Sequence, residues 1–88
     1  MPVNIYNNET HEQLDCICDN DWNLTSQIEE LAIWLKANSE ELKDSNYLAD
    51  IGFVVRKDAS GGGAVLSVES IRIMSKIGME LFLSEYRD

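Results

Sequence analysis

The spacing of hydrophobic positions changes repeatedly along the chain, and each change marks an element. Val3-Asn4-Ile5-Tyr6 alternates apolar and polar, Asn7-Asn8-Glu9-Thr10 supplies turn residues, and Gln13 to Cys18 alternates again, which predicts a short β-hairpin. On its second strand Leu14, Cys16 and Cys18 share one face. Asp19-Asn20-Asp21 breaks the alternation. Ser26 followed by Glu29 then forms a capping-box signature ahead of Ile28, Leu31, Ala32 and Leu35, a helical stripe that Leu42 rejoins if the helix runs to about Lys43. Asp44-Ser45-Asn46 reads as a loop, and Leu48 to Val55 has the β-branched and aromatic content of a central strand.

After that strand, Asp58-Ala59-Ser60-Gly61-Gly62-Gly63 is a flexible stretch, with Ala64-Val65-Leu66 as a short extended segment that is the candidate for a fifth strand. Ser67 caps a second helix with Val68, Ile71, Met74 and Ile77 on its inner side and Gly78 as its C-terminal stop. Met79 to Tyr86 closes the chain as a strand, with Met79, Leu81 and Leu83 on one face and Phe82 and Tyr86 on the other. The order is ββαβαβ, a two-layer α+β (α/β) class: a mixed four- to five-stranded sheet with both helices on one face and a right-handed crossover into the last strand.

Length restricts what such a fold can do. The chain has 88 residues, 44% of them hydrophobic and 26% charged, which is an ordinary globular mixture for a single domain spanning 1–88. So short a chain buries only roughly 60–65% of its unfolded surface, leaving little core from which to carve a large enzyme cleft. No apolar run approaches the ~18 residues of a membrane span, and Met1 to Thr10 lacks the basic start and apolar stretch of a signal peptide, so a cytoplasmic location without membrane contact is expected.

Charge sharpens the picture because it is unevenly placed. Residues 1–50 hold eleven acids against Lys36 and Lys43, while residues 51–88 hold five acids and five bases, so the whole net charge of −9 belongs to the first half. That field repels nucleic acid and anionic membrane and attracts a basic partner.

The candidate chemistries are weak by comparison. Cys16-Ile17-Cys18 is too closely spaced for an unstrained disulfide, and zinc would need further ligands where His11 is the one imidazole. Asp19, Asp21, Asn23 and Glu30 match positions 1, 3, 5 and 12 of a calcium-binding loop, but Leu24 stands where the sharp turn requires glycine. The glycine run lacks the Gly-Lys-Ser/Thr that places a phosphate on a helix start. A nucleophile has only His11 for a base, in a surface turn. No catalytic, cofactor or metal residues are therefore assigned.

The first helix carries the stronger signal. With Ile28, Leu31 and Leu35 inward, Trp34 falls at the border of the buried stripe and Ile33 nearly opposite it, among Glu29, Glu30, Lys36, Glu40 and Glu41. A tryptophan ringed by carboxylates suits a basic protein partner, because the ring supplies desolvated contact area and the charges supply steering. Asp19, Asp21, Glu30, Trp34, Glu41 and Asp44 are the candidate partner-binding residues, with Trp34 as anchor. Trp22, just before the helix, is expected to fold back on the core as a staple.

The run Trp22-Asn23-Leu24-Thr25-Ser26-Gln27-Ile28-Glu29-Glu30-Leu31, the Ile51-Gly52-Phe53 strand, and Leu66 to Ser70 with Ile77 to Tyr86 resemble small bacterial domains, some of them similar to immunity proteins of polymorphic and contact-dependent toxin systems. This resemblance implies binding and blocking of a toxin rather than catalysis, and it transfers no site residue. The expectation is a non-enzymatic module that occludes a basic protein, with a nuclease toxin as the fitting class. An acidic nucleic-acid mimic from a phage and a small metal-binding domain are the alternatives.

Overall fold

The computed structural model describes residues 2–87; Met1 and Asp88, the latter one of the second half's five acids, lie outside them. The elements are β1 (Val3–Asn7), β2 (Gln13–Ile17), α1 (Leu24–Asn38), β3 (Tyr47–Val54), α2 (Val68–Ile77) and β4 (Met79–Tyr86). They form a mixed four-stranded sheet in the order β2-β1-β3-β4, antiparallel except for the parallel pair β3/β4. Residues 64–66 add no strand to it.

Register decides which side chains share a face. Val3 pairs with Ile51, Ile5 with Ala49, and Tyr47 with Met79, so these six residues point the same way, and all are buried. Against them pack Ile28, Leu31, Trp34 and Leu35 of α1 and Met74 and Ile77 of α2, forming one contiguous core. Both helices therefore cover one face of the sheet, and the molecule is a slab 41 × 26 × 17 Å across. The opposite face, carrying Tyr6, Leu48, Asp50, Val54, Phe82 and Tyr86 by the same alternation, has no helix over it among the described residues.

Several local expectations shift for identifiable reasons. Helix α1 starts two residues before Ser26, because Asn23 is its N-cap and accepts the Ser26 N–H at 3.1 Å through Oδ1. It ends at Asn38 rather than near Lys43, yet Leu42 still packs on the core from the following turn. On β2 the pairing slips between Ile5↔Asp15 and Tyr6↔Gln13, so Leu14 is an extra residue and the even-numbered face does not persist. Asp15 and Ile17 take the helix side opposite Ile5 and Val3, and Cys16 the open side. On α2 the buried residues are Ser70, Met74 and Ile77, whereas Val68 and Ile71 are 62% and 48% exposed. The stripe through Met74 and Ile77 thus runs along Ser70 instead of Ile71, and Ser70 donates its N–H to the Ser67 cap oxygen at 3.1 Å.

Gly78 joins α2 to β4 within one residue. Its left-handed conformation, φ 82°, donates its N–H to the Met74 carbonyl at 2.9 Å, and its own carbonyl accepts from Tyr47 at 2.9 Å. A Cβ there would collide with the Ser45 carbonyl oxygen. Gly78→Ala combines the left-handed penalty of about 1–2 kcal/mol with displacement of backbone. Urea unfolding should show a loss above about 2 kcal/mol, and a clearly smaller one for Gly62→Ala in the exposed loop.

Candidate functional site

The six carboxylate and tryptophan positions do not form one surface. Asp19 and Asp21 lie in the β2–α1 connection and Glu30 on the first half of α1, whereas Glu41 and Asp44 lie beyond its far end. A 15-residue helix is ~22 Å long, so the turn carboxylates lie about a helix length from Glu41 and Asp44, and Glu30 lies about 12 Å from that end of α1. At the near end the groups do converge. Burial raises the Cys18 thiol pKa, and the charges of Asp21 and Glu30 raise it further; Cys16 is raised by burial and then by Asp19, whose Oδ1 lies 3.9 Å from its Sγ. Asp44 instead lines the Gly78 cap, with Oδ1 3.6 Å from where a Cβ would stand.

Trp34 is not an exposed anchor. It is 9% exposed, in the core, and its indole Nε1–H donates to Asp15 Oδ2 at 2.7 Å. The other Asp15 oxygen accepts the Cys16 N–H at 2.7 Å, so this carboxylate at the exposed rim of β2 is held from both sides. A helical wheel places Trp34 at the border of the stripe; the β2 bulge turns a carboxylate toward that border and closes it.

The exposed tryptophan is Trp22, and its geometry follows from the strand beside it. The Trp22 carbonyl accepts the Val54 N–H at 3.0 Å, continuing along β3 the line that β1 occupies at Pro2 and Val3. On the other side of β3, Val54 pairs with Tyr86 of β4. Trp22 and Tyr86 thus flank the same strand, and Gly52, two residues earlier on that face, leaves the space in which their rings meet edge to face at 5.5 Å. A Cβ on Gly52 would stand 2.9 Å from Tyr86 Cε2 and 3.5 Å from Trp22 Cζ3. The result is an open notch of about 260 Å³ on the helix-free face, lined by Trp22, Val54, Tyr86 and Arg87. Instead of folding on the core as a staple, Trp22 is 40% exposed and Tyr86 51%. Asp21 and Asp19 lie within three residues of Trp22, no more than ~11 Å of chain.

Other chemistry finds no comparable arrangement. Among the described residues no three His, Cys, Asp or Glu side chains group as a metal site, and Asn23, one of the calcium-loop positions, spends its oxygen on the helix cap. A second cleft of about 250 Å³, similar in size to the notch, lies between the α1 start and the glycine loop. Its glycines are tied down: Arg56 Nη2 donates to the Gly61 carbonyl at 2.6 Å and Thr25 Oγ1 to that of Gly63 at 2.7 Å. No helix among the described residues is long and apolar enough to cross a membrane.

Comparison of the chain with known protein families, curated proteins and solved structures finds no match.

The two tryptophans should separate cleanly by mutation. Trp34→Ala removes a core ring and its hydrogen bond to Asp15, costing about 3–5 kcal/mol in urea unfolding, close to the whole stability of a domain this size. Trp22→Ala loses mainly the Tyr86 contact, about 1 kcal/mol. Thiol titration offers a second check: with both cysteine pKa values raised, less thiolate is present at pH 8 than for a free thiol, so reaction with a disulfide reagent should be slow. Asp21→Asn removes one of the raising charges on Cys18 and should speed that reaction.

Proposed function

We propose that this protein is a non-enzymatic binding module that engages a basic protein through the Trp22–Tyr86 notch and the carboxylates Asp19 and Asp21 of the adjoining turn, with Glu30 on α1 adding attraction from the helix side. The observation that carries the reading is a half-exposed Trp–Tyr pair on an uncovered sheet face, beside the acidic turn. Tryptophan and tyrosine are the residues that most often anchor interfaces, since each brings large contact area at little cost in side-chain entropy. A lysine or arginine side chain entering the notch gains cation–π contact with either ring, and the −9 of residues 1–50 draws it in from a distance.

Mechanistically this is occlusion. The partner's cationic surface is neutralised and covered, with no bond made or broken in either protein. Such a mode suits neutralisation of a toxin that acts on a polyanion, the role implied by the resemblance to immunity proteins. Glu41 and Asp44, at the opposite end of α1, then contribute long-range attraction rather than contact.

A ten-residue arginine peptide provides a defined probe. Its binding, followed by calorimetry, should weaken steeply as the screening length falls from ~30 Å at 10 mM salt to ~8 Å at 150 mM. Trp22→Ala and the Asp19→Asn/Asp21→Asn pair should each weaken it about tenfold or more, the size of a modest anchor contribution. Glu41→Gln/Asp44→Asn should matter much less at 150 mM salt. Equal loss from both carboxylate pairs, with none from Trp22→Ala, would reduce the interaction to unspecific charge attraction and remove the notch from the account.

A further inference from the structure

We propose that β4 is a self-association edge, along which two copies of the chain pair antiparallel about a twofold axis at Leu83 to form one continuous eight-stranded sheet. The sheet has two edges, and they are built differently. β2 has five residues, carries a bulge and bears the exposed charge of Asp15, all of which disfavour addition of another strand. β4 has eight residues in unbroken register with β3 and contains neither lysine nor proline. Its two charged residues, Glu80 and Glu85, fall opposite uncharged side chains in the pairing described next.

The free backbone groups can be assigned from the ladder. Tyr47 donates to the Gly78 carbonyl at 2.9 Å and Val55 to that of Tyr86 at 3.4 Å, so even-numbered residues of this parallel strand bond to β3. Met79, Leu81, Leu83 and Glu85 consequently direct their N–H and C=O groups to the open edge. Pairing about Leu83 sets Leu83 against its own copy, Leu81 against Glu85, Phe82 against Ser84 and Glu80 against Tyr86. No like charges face each other.

Side chains and charge point to a second copy as the occupant. Val65, Val68, Ile71, Phe82, Leu83 and Tyr86, on β4, on α2 and on the segment leading into it, are 48–87% exposed. They belong to the half of the chain that carries no net charge, so two copies meeting there do not oppose their acidic halves. A basic strand from another protein would be drawn to residues 1–50 instead. A twofold contact of this kind uses one self-complementary patch twice, as closed dimers do.

Residue-resolved amide exchange on the wild-type protein, at a concentration where sedimentation gives its mass, tests the proposal without a mutation. The expected result is twice the 10.0 kDa chain mass, with the Leu81, Leu83 and Glu85 amides exchanging at least about tenfold more slowly than unpaired edge amides. Leu83→Lys should restore the monomer and fast exchange at those positions while leaving the circular dichroism unchanged. A monomer at NMR concentration, or a dimer whose odd-numbered β4 amides exchange freely, would overturn the pairing. The arginine-peptide titration reads the notch separately, so either conclusion can fail alone.

Discussion

Gly52 is the position on which both layers of this protein depend. Its N–H bonds to the Pro2 carbonyl, tying β3 to the start of the chain, and its carbonyl accepts the buried Gln27 Nε2 at 2.7 Å, tying β3 to α1. The same Gln27 amide reaches the Asp21 carbonyl at 2.7 Å and so fixes the turn that presents Trp22. On the far side of the strand, the space left by the missing Cβ is filled by the rings of Trp22 and Tyr86. A glycine in a central strand ordinarily weakens it. Here it lets aromatic rings from two flanking segments close over a strand that also anchors the helix layer.

Charge segregation acts on top of that frame. The acidic half supplies β1, β2, α1 and the start of β3, whereas the neutral half supplies the rest of β3, α2 and β4, so the polarity of the sequence becomes a polarity of surfaces. The Lys36–Glu69 ion pair between α1 and α2, 3.0 Å long and well exposed, is a contact across that boundary worth at most about 1 kcal/mol. What joins the halves is the common core under both helices. The acidic field can consequently serve binding without being needed for folding.

The element order, the central place of β3 and the two-layer build were legible because long-range register repeats the alternation visible in each strand. Gly78 was legible as a stop because a glycine after an apolar helical stripe has few other uses. The identity of the exposed tryptophan was not. Periodicity describes Trp34 only relative to its own helix, and the carboxylate that receives its indole N–H comes from a bulged strand nineteen residues earlier. Trp22 lies in a connection, where no period exists, and its exposure depends on Gly52 and Tyr86 meeting across the parallel pair. A glycine within a strand whose later neighbour ends in an aromatic is the one sequence signal that bears on that notch. On α2, the stripes through Ser70 and through Ile71 both include Met74 and Ile77, and packing against α1 and β4 decided between them.

In the proposed binding mode Trp22, and not Trp34, meets the partner. Each tryptophan contributes one indole N–H resonance, and the two are in different surroundings: Trp34 is buried on Asp15, Trp22 is at the surface beside Tyr86. A two-dimensional NMR titration with the arginine peptide at low salt reads both at once. The expected result is a progressive, saturable shift of the Trp22 indole signal, together with the Asp19, Asp21 and Tyr86 amides, while the Trp34 signal stays in place. Movement of Trp34 with Trp22 unperturbed would contradict it.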